Sequence, residues 1–417
     1  MISYKQSIKI LKKSKIFIKN EIVKTNNCLN RIAANKINSN ANNPSGDNAA
    51  FDGFVINSSE TSNLSKKNNR LFKILGTIAA GDKPKNIKIN KFQTFEIMTG
   101  GLIPKGFDTI IPIEQIVFYP NKKNPKYILV NKKINKYQHV RFKGSDYKKN
   151  DLLIKEGTIL QPNHVLALKT LGIKKIKVKK IPNILFFSSG NEITDQEKIP
   201  DWKVRNSNSY YIKSIDKNFF FNFFYGGILK DKDERIFEKK IKKILNSKID
   251  IIVTSGAVSA GKFDYIPRII KKFKLSNYFK GVAIRPGKPI LFAKIKGKQK
   301  AIFGLPGNPI SSAACFRFFV YPYLESLLGV EKEKSIKAIL KNDFTKKANF
   351  TRFIKSNFYT TKNGKIEVKI LKGQESFRIK SFAKSNIWAL FPSGKSKFKR
   401  GETIDCFFPN HPNKILF

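Results

Sequence analysis

Two short segments constrain the fold of this chain more than any other. Ile249-Asp250-Ile251-Ile252-Val253 runs into Thr254-Ser255-Gly256-Ala257-Val258-Ser259-Ala260-Gly261, and Ala301-Ile302-Phe303 runs into Gly304-Leu305-Pro306-Gly307-Asn308-Pro309. Each is an apolar, β-branched run, then small residues, then a helical pattern. Asn308 is placed to cap the second helix, with Pro309 at its first position. Strand, tight loop, helix is how a parallel α/β sheet exposes backbone N–H groups at the carboxyl ends of its strands. Glycine lets a ligand approach the main chain, and hydroxyls and amides suit an oxyanion. One such loop is as readily a mere connection. Two of them, with Asp264 following the first, predict an anion-binding crevice.

The surrounding pattern extends this unit. Ile184-Leu185-Phe186-Phe187 reads as a buried strand and Ser207–Tyr225 as a helix stopped by Gly226-Gly227, followed by a short strand at Ile228-Leu229. Asp231-Lys232-Asp233-Glu234 resembles a capping box opening a helix with Ile236, Phe237, Ile241, Ile244 and Leu245 on one face. Residues 1–36 read as helical. From about 50 to 143, short apolar runs separated by turn residues predict a barrel-like β-domain. Residues 145–180 are mixed, with apolar Leu166, Ala167, Leu168 and Leu171 ending at Gly172. After 330 the chain is β-rich again.

Composition sets limits. The chain has 417 residues, for which roughly two to four domains are expected. No apolar run reaches the roughly 18 residues of a membrane span. Residues 1–24 alternate Ile or Leu with Lys and lack a signal-peptide core. Cys28, Cys315 and Cys406 form no CxxC and no disulfide framework, so a cytoplasmic protein is expected. The net charge of +51 comes from lysine spread over nearly every segment. With abundant Ile, Asn and Phe, it points to compositional drift; salt-dependent polyanion attraction is expected, but no specific nucleic-acid partner. No Cys/His cluster suggests zinc. His139, His164 and His411 sit in no catalytic context.

Other loops allow two readings each. Asp52-Gly53, in Phe51-Asp52-Gly53-Phe54, is a turn signal or a site acid entering a strand. Thr99, in Met98-Thr99-Gly100-Gly101, is a packing residue or a ligand-facing hydroxyl. Ser189-Gly190-Asn191-Glu192 closes a sheet strand, which makes Glu192 a site acid. Asp264 is a site acid or a helix N-cap. Arg285-Pro286-Gly287-Lys288 places two cations beside a rigid turn, which suits an anion.

Taken together and in this order, these segments resemble the molybdopterin molybdenumtransferase family, which includes bacterial MoeA, the plant molybdenum insertase E domain and the gephyrin E domain. The resemblance covers essentially the whole chain. It implies an α/β multidomain fold: a mixed α/β domain (1–42 with 145–180), an inserted β-domain (50–143), a parallel-sheet molybdopterin-binding domain of MoaB/Mog type (181–326) and a C-terminal β-barrel (327–417). It implies insertion of molybdate into adenylated molybdopterin with release of AMP, a need for Mg²⁺, and a homodimer in which Asp52 and Thr99 of one subunit face the sheet domain of the other. Asp52, Thr99, Glu192 and Asp264 match catalytic positions. Gly190, Ser255, Gly256, Ser259, Gly261, Arg285, Lys288, Pro306, Gly307, Asn308, Pro309 and Ser376 match substrate-binding positions, and Asp231, Glu192 and Asp264 match metal ligands. A molybdopterin adenylyltransferase and a recipient molybdoenzyme are implied partners. The chain departs from the family at Asn191, where Asp is usual, at Ala257, where a second Gly is usual, and at Phe377, where a small residue is common. The alternatives are a molybdopterin adenylyltransferase, a non-catalytic molybdopterin-binding scaffold, and a polyanion binder.

Overall fold

Alternation of apolar run, small-residue loop and helix produces a six-stranded sheet in the order Asn222–Leu229, Asn183–Ser189, Ile251–Ser255, Ala301–Leu305, Leu291–Ile295, Leu275–Lys280. A computed structural model describes residues 1–83, 88–215, 220–258 and 265–409 of the chain. The first four strands are mutually parallel, and Leu291–Ile295 runs antiparallel to both its neighbours. The sheet is therefore parallel where it carries the small-residue loops.

Side chains two apart share a face of a strand, and both faces here are covered. Ile184, Phe186, Ile251, Val253 and Phe303 point into one core with Ile310, Phe316 and Leu324. Phe187, Ile252 and Ile302 point into the other with Phe237, Ile241 and Ile266. Two expectations fail in this region. The helix beginning at Ser207 ends at Ile215, and Asn222–Leu229 is a strand. Phe223 and Tyr225 align with Ile184 and Phe186, and Gly226-Gly227 fall at a register shift within the pair instead of stopping a helix. Pairing with Asn183–Ser189 overrides the local helical pattern. The expected capping box also fails to form: the helix starts at Glu234, and the Asp233 carboxylate accepts from the Lys230 N–H at 2.8 Å.

Residues 1–36 are not one helix. The helix is Tyr4–Lys13, opened by a capping box between Ser3 and Gln6. Asn20–Lys24 is instead a strand antiparallel to Lys175–Lys179, with β-branched Ile22 and Val23 opposite Lys177 and Ile176. Cys28, Ala33 and Ile37 share a core with Ile154, Leu160, Leu168 and Val178, so segments on either side of 50–143 fold together. The first helix lies elsewhere: the Tyr4 ring meets Phe319 and Phe353 edge-on, and its hydroxyl donates to the Phe318 carbonyl at 3.3 Å.

The 50–143 region is a six-stranded sheet in the order Thr109–Pro112, Gly53–Ile56, Gln93–Ile97, Arg70–Ile78, Tyr127–Val130, Val117–Tyr119. Its edge strands are consecutive in the chain. A linker of that length reaches about 17 Å, whereas flat edges would lie about 24 Å apart. The sheet must therefore curl, barrel-like but without hydrogen bonds across the seam among the described residues. In the C-terminal region a barrel closes fully: Thr351–Thr360, Ile366–Ile370, Ile336–Leu340, Thr403–Phe407 and Ile387–Phe391 pair in turn, and the last also pairs with the first. All three cysteines are buried and unbridged. No described helix is long and apolar enough to cross a membrane.

Candidate functional site

Three strand-end loops of the α/β sheet converge. Gly256 has φ +98°, and a Cβ there would lie 2.3 Å from the Ser189 carbonyl oxygen, so only glycine lets these loops touch. Its N–H donates to the Leu305 carbonyl at 2.9 Å. A Cβ on Gly307 would be 3.7 Å from the Gly256 Cα. Ala257, at φ +52°, holds a left-handed conformation that costs a non-glycine residue about 1 kcal/mol. Asn208, in the first turn of the helix Ser207–Ile215, ties two of the loops together. Its amide donates to the Ser255 hydroxyl at 2.5 Å and to the Gly307 carbonyl at 2.8 Å. Sequence reasoning missed Asn208; its place in the first turn of a helix that packs under the loops becomes a signal only once the sheet order is known.

Asn308 stands before the helix Pro309–Cys315 as expected, but its side chain does not cap it. The amide instead donates to the Ser376 hydroxyl at 3.0 Å, which brings the C-terminal barrel to the Pro306-Gly307-Asn308-Pro309 loop.

The acid loop sits at the end of Asn183–Ser189. The Gly190 N–H donates to the Leu229 carbonyl at 3.0 Å. The exposed Glu192 carboxylate folds back over Gly190, into the space a Cβ would fill, and makes no hydrogen bond or ion pair among the described residues. Asn191 donates to the Asp231 carboxylate at 2.8 Å and accepts from the Asp231 N–H at 3.1 Å. Two ammonium groups support the loop: Lys203 on the Asn191 carbonyl at 2.6 Å and Lys230 on the Ile193 carbonyl at 2.7 Å. Among the described residues no three His, Cys, Asp or Glu side chains gather into a metal cluster. Ser259, Gly261 and Asp264 lie outside the described residues.

A cationic group lies along the helix Pro309–Cys315. The Gly287 carbonyl accepts from the Cys315 thiol at 3.5 Å, so the Arg285–Lys288 turn rests on this helix, about 10 Å from its start. Arg285 pairs in register with Arg352 of the barrel. Arg285 and Lys288 are exposed and Arg352 is half-buried. Burial, and then the Arg285 charge, hold the Arg352 guanidinium below its usual pKa, and its buried Nε has no partner. Like charges held together with an orphaned donor favour an anion between them. Arg352 was also missed; nothing in the sequence separates it from 80 other basic residues.

Asp52 and Thr99 form a separate pair. One Asp52 oxygen accepts from the Thr99 N–H at 2.6 Å and from its hydroxyl at 2.7 Å. These two bonds, the N–H first, hold the Asp52 carboxyl below the usual carboxylate range. Gly53 is no hairpin turn: it begins a strand paired on both sides, with Ile97 and Pro112. The cores beneath this pair are drawn from residues 49–140 alone. Among the described residues no hydrogen bond or ion pair joins Asp52 or Thr99 to the loops of the α/β sheet within the chain. His164 has a structural role: its Nδ1 accepts from the Gln161 N–H at 2.9 Å at a helix start.

Fold and site together define a multidomain α/β protein whose strand-end loops, with a C-terminal barrel against them, are built in a way that suits an anionic ligand. The chain belongs to the MoeA family of molybdenum-cofactor biosynthesis proteins. The MoeA N-terminal region (domain I and II) matches residues 2–172, the probable molybdopterin binding domain residues 186–326, and the MoeA C-terminal region (domain IV) residues 337–407. A molybdopterin molybdenumtransferase of Staphylococcus aureus strain COL is 32% identical over 382 residues, 90% of this chain and 88% of the relative. Its Staphylococcus epidermidis ATCC 12228 counterpart is 30% identical over 407 residues, 97% of this chain and 94% of the relative. The crystal structure of the molybdopterin biosynthesis moeA protein from Pyrococcus horikoshii OT3 superposes with a TM-score of 0.81 at 26% identity, covering 98% of this chain and 100% of that one.

Proposed function

We infer that this chain is a molybdopterin molybdenumtransferase, inserting molybdate into adenylated molybdopterin with release of AMP. The observation that carries this is the closure of the Ser189–Gly190, Ser255–Gly256 and Gly307–Asn308 loops into one corner that Ser376 of the barrel completes.

The substrate carries a terminal phosphate and a diphosphate bridge, and molybdate is itself an oxyanion. The corner formed by the loops (Gly190, Ser255, Gly256, Pro306–Pro309, with Ser259 and Gly261 by resemblance) takes one anionic end; the Gly190 and Gly256 N–H groups, bonded to the Leu229 and Leu305 carbonyls, hold its shape. Arg285, Lys288 and Arg352 take another. The orphaned Arg352 Nε supports this assignment. Asp52, kept ionised by Thr99, presents a fixed negative charge that is suited to orient a water by accepting its hydrogen bond as the diphosphate is cleaved. Among the described residues Asp52 is bonded within its own β-region, and the resemblance has it meet the strand-end loops of a second subunit in a homodimer, so that each site draws on two chains.

Glu192 and Asp231 fit a hard cation that takes its remaining oxygens from phosphate and water, with Asp264 the third carboxylate implied by resemblance. They would hold Mg²⁺, which supplies charge neutralisation at the diphosphate. Asn191 takes the place of a fourth acid and is committed to Asp231.

Incubation with adenylated molybdopterin, molybdate and Mg²⁺ is expected to release AMP. Asp52→Asn and Glu192→Gln are each expected to abolish most of it with the fold intact, because both side chains are exposed. AMP release at the wild-type rate by both variants refutes the assignment of these acids.

A further inference from the structure

The strand Thr351–Thr360 does more than deliver Arg352. Three residues on, Lys355 points inward and is 1% exposed. Its ammonium donates to the carbonyls of Gly373 at 2.7 Å, Glu375 at 3.1 Å and Arg378 at 3.1 Å. These use all three of its donors, and all three acceptors belong to one loop. Among the described residues no carboxylate lies within ion-pair distance, so these main-chain dipoles, with the Glu375 charge acting from further off, compensate the ammonium. Burying an ammonium in this way is costly and persists where its bonds hold something in place. Gln374 reinforces the arrangement: its side chain accepts from the Lys355 N–H at 3.1 Å and donates to the Lys355 carbonyl at 2.8 Å. Ser381 adds a bond to the Gly373 carbonyl at 2.6 Å.

Between the Glu375 and Arg378 anchor points the loop presents two side chains. Ser376 accepts from Asn308 of the α/β sheet, and Phe377 is 64% exposed. We propose that Lys355 is the positioning residue that sets Ser376 against Asn308, and so fixes the wall that the barrel contributes to the anion site. The proposal rests on the molybdopterin-site reading above. The hydrogen bonds of the Lys355 ammonium all go to main-chain carbonyls of its own barrel, so it acts through the loop and not on substrate.

The test uses the full chain, with Lys355→Met, which keeps most of the volume and no donor, and Lys355→Gln, which keeps a donor and serves if the first does not fold. Chymotrypsin cleavage after Phe377, located by mass spectrometry, reads loop opening directly. Cleavage is expected to be about tenfold or more faster in Lys355→Met and intermediate in Lys355→Gln. In AMP release, Lys355→Met is expected to raise KM for adenylated molybdopterin by about the factor seen for Ser376→Ala, with kcat little changed. The double variant is expected to be no weaker than Ser376→Ala alone, because both changes remove one contact. Unchanged cleavage at Phe377 in a folded variant overturns the anchor, and additive losses in the double variant overturn its action through Ser376. A freed loop combined with normal substrate binding by Ser376→Ala removes the site reading on which the proposal stands.

Discussion

Asn208→Ala is the sharpest probe of how the two main loops are held. The change removes both amide bonds, to the Ser255 hydroxyl and the Gly307 carbonyl. Gly307 is exposed, so water can replace its lost partner and the loss there is about 0.5–1 kcal/mol. Ser255 is fully buried, and its hydroxyl is left without the amide at a cost of about 1–2 kcal/mol. Together the loops are expected to loosen by about 1.5–3 kcal/mol. In a multidomain chain a global melt does not isolate this, so a local reporter is needed. The Gly256 N–H, bonded to the Leu305 carbonyl, lies at the junction of the loops. If it exchanges through loop opening, its hydrogen exchange is expected to accelerate about 10- to 150-fold. Ser255→Ala added to Asn208→Ala is expected to recover part of the loss, since it deletes the orphaned hydroxyl. An acceleration below about threefold, or no recovery in the double variant, refutes the idea that Asn208 sets the spacing of the loops.

Gly256→Ala adds a methyl against the Ser189 carbonyl in a left-handed conformation, and is expected to abolish molybdopterin binding in calorimetric titration; retained affinity contradicts the close approach described here. Thr99→Val keeps the N–H but deletes the hydroxyl that lowers the Asp52 pKa. A depressed carboxyl stays ionised down to its folded pKa and loses its contribution as pH falls through it, so the acid limb of the AMP-release profile is expected to move to higher pH; an unmoved limb shows that Asp52 ionisation does not limit the reaction. Mixing Asp52→Asn chains with Asp264→Asn chains is expected to restore activity, since a mixed dimer contains one intact site, and a monomer in sedimentation contradicts the shared site. Arg285→Gln with Lys288→Gln is expected to weaken molybdopterin binding far more than non-specific DNA binding, because the two are central to a pocket but only two of 81 basic residues to a polyanion. Equal losses, compared at one salt concentration, count against a localised anion site.

The strands of the α/β sheet were legible from the residues because Ile184–Phe187, Ile251–Val253 and Ala301–Phe303 are apolar on both faces, and a strand buried on both sides needs no other signal. Its tight loops were legible because only small residues suit a tight strand-to-helix passage. The family resemblance added the order of the regions and the acids and cations of the site. Local pattern failed at Phe223–Tyr225 and at Ile22-Val23. Helical periodicity there is weak evidence, and a partner strand, about 40 residues away in the first case and about 150 in the second, decided the outcome. The same holds for the side chains that assemble the site. Asn208, Arg352 and Lys355 carry no local mark among so many Asn, Arg and Lys residues. Each becomes distinct only through what the fold places against it: two loop groups, a second arginine, and three main-chain carbonyls. A sequence states propensity along the chain, whereas the worth of a hydrogen bond or a charge depends on burial and on partners, and these exist only once remote segments have packed together.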